Sequence, residues 1–319
     1  MLAAAVLVGC AYVLVGQRDT LALAADRLSP TRVGLSVVVA IAGTMCFARV
    51  WLALLHGFGV HVGAREAAPV FYISQLGKYV PGSVWPVVVQ VQFGSRWGAP
   101  RRVVLGASIL MLTTVAATGI LVGALLLPWS SPSGLEEYWW LLVALVPLVV
   151  LLQPRVLTFL INRVSLWSGG TRLETQVSGG SMLRAGLWAV LAWLLLGGHL
   201  LILLTAYGRI DPLDVAAAVG GMALAWAAGL AFVPAPAGAG VREGVLVLTL
   251  GPVVGPDAAL ATAVASRVLL VLADITLAAV SVGLRTLRDV RVGRAARSAP
   301  GTEGSASDPG APAPRDLSG

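Results

Sequence analysis

Charge is what this sequence has least of. Charged residues make up 12% of its 319 positions and apolar residues 57%, against roughly 25% and 45–50% in an average soluble domain. A soluble chain with half the usual charge could not cover its own surface, so a soluble globular protein is excluded. Lysine is nearly missing: of 22 basic residues, 21 are arginine and one is Lys78. The net charge of +7 does not indicate nucleic acid, because the cations are dispersed between apolar runs or gathered in one short tail. Cysteine is limited to Cys10 and Cys46, both inside apolar runs, which argues against a disulfide framework. His56, His61 and His199 are scattered, with no HExxH and no Cys/His cluster, so metal catalysis lacks ligands. There is no GxxxxGK[ST]. Gly238-x-Gly240 leads to Glu243 rather than a third glycine and follows an apolar helix rather than a strand. P-loop and dinucleotide readings both fall. With no nucleophile elbow either, the sequence reads as a non-enzyme without a cofactor.

Long apolar runs are what it has instead, with a mean hydropathy of +0.87. A bilayer core about 30 Å thick needs about 20 apolar residues in a helix. Seven runs qualify or nearly do: 1–16, 32–56, 103–128, 138–161, 182–207, 214–233 and 257–284. The first lacks a basic n-region and a clear cleavage site, so it reads as a spanning helix rather than a signal peptide, with the start methionine left open. The fold expected is all-α: a polytopic membrane protein of about seven transmembrane helices plus two re-entrant or broken ones. The membrane domain covers 1–284. Arg285, Arg288, Arg291, Arg294 and Arg297 then open a basic stretch, followed by a Pro/Gly/Ser/Ala tail to Gly319 that cannot bury a core and reads as disordered.

The two broken segments are 66–92 and 234–252. Each holds a Pro/Gly break, one or two charges and an apolar stretch too short to span. Irregular backbone at membrane depth survives only where protein or a water-filled cavity covers it. Their layouts correspond. A long helix precedes Pro81-Gly82 in one half and Pro236 to Gly240 in the other. An apolar run, a Gly-Ala-Pro or Gly-Pro and another long helix follow. This predicts two pseudo-repeats, about 32–128 and 182–284, with a transport site between them. The loop 162–181 links the halves. The arginines after Leu284 place the C-terminus in the cytoplasm. Seven spans would then leave the loop 162–181 outside, although it and its flanks carry Arg155, Arg163, Arg172 and Arg184, and an extra crossing in the second broken segment would reconcile the two signals.

Ionisable groups inside apolar segments are costly unless paired or hydrated, so each is a site candidate. Lys78, in Gln75-Leu76-Gly77-Lys78-Tyr79-Val80-Pro81-Gly82, stands beside a helix break, where its ammonium and freed backbone N–H groups could take a phosphate; a lysine snorkelling to the headgroups is the alternative. Arg242 could grip a phosphate bidentately. Glu243 could meet a cation or open a half-helix favourably. Gly238 and Gly240 suggest a loop that water can enter, in which Glu243→Ala would cost little stability. Arg267 and Asp274 share one helix face but lie about 10 Å apart along the axis, so each should reach a third group, such as Glu243 for Arg267. Arg49 reads as a snorkelling residue. His199 and Gln90 read as helix-packing hydrogen bonders, and Trp51, Trp85, Trp129, Trp139 and Trp140 as interfacial residues.

Two of these stretches resemble a known family. Pro236-x-Gly238-x-Gly240-Val241-Arg242-Glu243-Gly244, followed by a helix with Arg267, is similar to the second signature of the lysylphosphatidylglycerol synthase transmembrane-region family. Gly77-Lys78-Tyr79-x-Pro81-Gly82-x-x-Trp85 resembles its first. The likeness spans about 1–284 and departs at Ala237, where Gly or Ser is common, and at Gln90, where Arg is frequent. It implies a flippase-like domain for aminoacylated or other lipid-linked substrates, without the soluble synthase domain. The function expected is translocation of a lipid with a charged or glycosylated headgroup across the cytoplasmic membrane. Gln75, Lys78, Pro81, Gly82, Gly238, Gly240, Arg242, Glu243 and Arg267 are the candidate site. A non-catalytic accessory protein, presenting a lipid-linked substrate to a separate synthase or glycosyltransferase, is the alternative.

Overall fold

The computed structural model describes residues 27–80, 84–130, 177–232 and 236–298, together with 134, 136–141, 143, 159 and 163. Among them the secondary structure is helical throughout. Helix α1 spans Pro30–Gly57, α2 Ala64–Leu76, α3 Trp85–Gly94 and α4 Arg101–Leu126. Then come α5 (Gly179–Leu204), α6 (Pro212–Ala231), α7 (Val241–Val254) and α8 (Pro256–Ser298).

Five of the seven apolar runs are found as helices long and apolar enough to cross a membrane: α1, α4 with its continuation to Trp129, α5, α6 and α8 as far as Arg288. The run 1–16 lies outside the described residues, and of 138–161 only 138–141, 143 and 159 are described. The basic stretch after Leu284 continues α8 up to Ser298, and the tail beyond it lies outside the described residues.

Starts and stops follow local chemistry. Ser29 caps α1, accepting the Arg32 N–H, with Pro30 in the first turn. Ser178 caps α5 through the Ser181 N–H. The Asp211 N–H donates to Asp214 at the head of α6, with Pro212 pre-set for the first helical position. The short helices α3 and α7 end alike: Gly98 at φ 71° and Gly255 at φ 84° turn the chain, and a proline stands at the head of the next long helix. The positive φ at both turns favours glycine.

Packing is inverted relative to a soluble protein. On α5 the large Leu183, Leu187 and Leu194 are at least half exposed, while Ala185, Ala189 and Ala192 are fully buried. Lipid is as apolar as leucine, so exposing it costs nothing; small residues let helix backbones approach. A Gly119-xxx-Gly123 pair on α4 faces α6, and a Cβ on Gly119 would lie 2.8 Å from the Ala223 carbonyl oxygen. That spacing is legible in the sequence as a helix-packing signal. Gly197 on α5 is tighter still, because its Cβ would lie 2.5 Å from the Val219 Cα on α6. Gly197→Ala is therefore expected to lower stability by about 1–3 kcal/mol, read as a fall in the thermal unfolding midpoint of the detergent-solubilised protein.

Trp51 is a correction to the sequence reading. It is fully buried rather than interfacial, and its indole N–H donates to Ser108 Oγ at 3.3 Å. Position alone did not reveal that α1 turns this ring toward α4. Trp85, Trp129, Trp139 and Trp140 are all more than 40% exposed. Among the polar groups expected in helix packing, Gln90 Nε2 donates to Ser74 Oγ at 3.0 Å. His199 joins three helices: its Nδ1 lies 3.0 Å from the Ser36 carbonyl and its Nε2 2.9 Å from Ser266 Oγ. Nδ1–H donating to the carbonyl leaves Nε2 to accept the Ser266 hydroxyl.

Candidate functional site

Both chain breaks are built where helices run out of hydrogen-bonding capacity. The first follows α2, whose last turn tightens into a 3-10 turn at Gly77–Tyr79. Residues 81–83 lie outside the described structure, so Pro81 and Gly82 are not placed. The second is a turn at Pro236–Gly238 that opens α7. Tyr79 of the first packs against Ala237 of the second, both buried. The two interrupted segments therefore meet.

Ala237 is the one non-glycine residue at positive φ among the described residues, at φ 50° and ψ 27°. This left-handed region costs an L-residue about 1–2 kcal/mol. Gly238, at φ 70°, lies so near α6 that a Cβ would stand 2.6 Å from the Gly229 Cα. This narrows the reading of a glycine loop that water can enter to its cavity side, where Gly238 forms part of a wall. The glycine closes the turn onto its neighbour.

Helix α8 supplies a counter-charge to each break. Asp274 is 2% exposed. It sits 2.6 Å from Lys78 Nζ and accepts the Tyr79 hydroxyl at 2.5 Å. About two turns earlier, Arg267 donates to Glu243 Oε1 at 2.5 Å. The other Glu243 oxygen accepts the Gly240 N–H at 2.7 Å, satisfying one of the free N–H groups at the start of α7. Arg267 and Asp274 thus each reach a third group, as their spacing implied. Lys78 is not snorkelling, nor is it an isolated cation; it is bound into a buried ion pair. Arg49 is exposed.

Arg242 differs from these. Its guanidinium carbon lies 4.9 Å above the Trp226 ring. Its Nε is buried without a hydrogen-bond partner, and among the described residues no carboxylate pairs with it. Its stem fits because Gly229 has no side chain: a Cβ there would lie 2.8 Å from Arg242 Cγ and Nε. Trp226 is in turn held by Phe47 and Trp193, with ring centroids 5.5 and 5.7 Å away.

These groups surround a cavity with about 50 Å³ open to the centres of water molecules, room for about three waters. Gln75, Lys78, Arg242, Glu243 and Arg267 all line it. A second cavity of about 40 Å³ adjoins it, lined by Gln75, Lys78, Gln90, Gly238 and Arg242 among others. Gln75, Lys78 and Arg242 belong to both walls. Gly240 contributes its N–H to Glu243 and lines neither cavity. Tyr79, Trp226 and Asp274 complete the site and were not on the sequence-derived list. Tyr79 stood inside the first signature, and Asp274 had already stood out as a charge within an apolar run. Trp226, among alanines on α6, gave no signal.

No curated protein matches the chain in sequence. Residues 1–278 match the family model described as the lysylphosphatidylglycerol synthase TM region, which contains both breaks and both α8 counter-charges. The chain is a multi-pass membrane protein and belongs to the lysylphosphatidylglycerol synthase transmembrane-region family.

Proposed function

We propose that this chain translocates a lipid with a charged or glycosylated headgroup across the cytoplasmic membrane, without catalysing a covalent change. The observation that carries the reading is Arg242: a guanidinium with no carboxylate partner among the described residues, in the wall of a cavity with room for water, where two interrupted segments meet. A buried charge is costly unless something pairs with it, and a lipid phosphate is the anion a membrane offers. An Arg–phosphate contact can be bidentate. Lys78, steadied by Asp274, adds positive charge on the same wall. The corresponding layouts of the two halves support an inverted repeat with the site at its interface. With no nucleotide-binding motif in the chain, movement would be downhill or ion-coupled.

The test is transbilayer movement of a headgroup-labelled phospholipid in vesicles reconstituted with the purified chain. The expected result is a rate well above that of protein-free vesicles. Lys78→Ala is expected to reduce that rate, and Lys78→Arg to retain part of it, since charge persists but geometry changes. Lipid bound without any movement would instead favour presentation to a separate synthase or glycosyltransferase.

A further inference from the structure

The charges around the cavity do not balance. Among the described residues, Lys78, Arg242 and Arg267 face it with Glu243 and Asp274, three cations against two carboxylates. Both carboxylates are already engaged: Asp274 with Lys78 and Tyr79, and Glu243 with Arg267 and the Gly240 N–H. Each is at most 5% exposed. A headgroup ammonium entering here would find no free acceptor carboxylate and would face an uncompensated guanidinium. A phosphodiester monoanion would find the opposite: one net positive charge, with the Arg242 side chain in the cavity wall.

We propose that the site selects a lipid with a net anionic phosphodiester headgroup, and that it discriminates against aminoacylated lipids, whose ammonium groups offset or outnumber the phosphate. Arg242 is the specificity-determining residue, and the Trp226 face with the Gly229 gap holds it in position. This deepens the translocation reading and rests on it for the identity of the site. It departs from a role for Glu243 in meeting a headgroup cation, because Glu243 is already committed to Arg267.

The experiment uses the full chain in nanodiscs of zwitterionic phosphatidylcholine. Short-chain phosphatidylglycerol, its lysyl ester and inorganic phosphate are titrated separately by calorimetry. Phosphatidylglycerol is expected to bind about tenfold or more tightly than its lysyl ester, the size of one charge-assisted contact. Arg242→Gln should abolish that preference, and Arg242→Lys should keep its direction at lower affinity. Equal affinities, a reversed order, or a preference that survives Arg242→Gln would overturn the proposal. The comparison of the two lipids on the unsubstituted chain keeps the test valid even if a variant fails to fold. Inorganic phosphate binding as tightly as the lipid would overturn the lipid assignment. The two readings can fail separately. Undiminished transport of the lysyl ester would leave translocation standing and overturn this selectivity. Tight anionic binding without transport would do the reverse.

Discussion

Asp274→Ala is expected to cost about 3–5 kcal/mol, the range for stranding one member of a buried ion pair. Asp274 is the acceptor for both the Lys78 ammonium and the Tyr79 hydroxyl. Without it, two donors at the first break lose their partner at once, and the tie between that break and α8 is gone. Water in the adjoining cavity can rehydrate Lys78 only in part, since its side chain is 19% exposed. Adding Lys78→Met should recover much of the loss, because the stranded charge is then removed rather than left buried. Asp274→Asn should fall between, keeping an acceptor for Tyr79 but not the charge. Thermal unfolding of the three variants in detergent decides this. An Asp274→Ala midpoint equal to that of the unsubstituted chain would show that the pair is solvated and not structural.

Glu243→Ala should have an effect of similar size at the second break, about 3–5 kcal/mol. The carboxylate pairs with Arg267 and also caps the start of α7 through the Gly240 N–H. Its loss strands Arg267 and frees a helix-terminal N–H together. Adding Arg267→Ala should restore the electrostatic part and leave the capping part lost, so rescue is incomplete. From sequence the opposite expectation held, because two glycines suggested a water-filled loop. Gly238 instead closes onto Gly229, and Glu243 is 5% exposed. A Glu243→Ala protein that unfolds like the unsubstituted chain but loses transport would reinstate the hydrated reading.

The spans were legible because their physics is local. An apolar run of 20 residues must be covered by lipid or protein wherever it lies, and five such runs are the five long helices. The breaks were legible for the same reason: Gly77, Gly238 and Gly240 stand beside charges that no lipid-facing helix could carry. Partner choice was not legible. Lys78 and Asp274 lie 195 or more residues apart along the chain, as the neighbouring Tyr79–Asp274 bond shows, and only the packing of α8 against α2 brings them together. Arg267 with Glu243 was within reach of sequence reasoning, because their segments adjoin. Trp226 was not, since nothing in an alanine-rich helix says which face a lone tryptophan takes. Trp51 was misread for a related reason. Tryptophan near a helix end usually marks the membrane interface, and only tertiary contact reveals one drawn inward.

The central claim is that the unpaired guanidinium of Arg242 carries the lipid phosphate. It is tested most directly by comparing lipid movement in vesicles containing the unsubstituted chain, Arg242→Lys or Arg242→Gln, reconstituted at equal density after matched thermal unfolding. Because Arg242 has no ion pair to strand among the described residues, Arg242→Gln should lose at most the cation–π contact with Trp226, about 0.5–2 kcal/mol. Its transport should fall by about tenfold or more, with Arg242→Lys between the two. Transport by Arg242→Gln at the unsubstituted rate would contradict the claim.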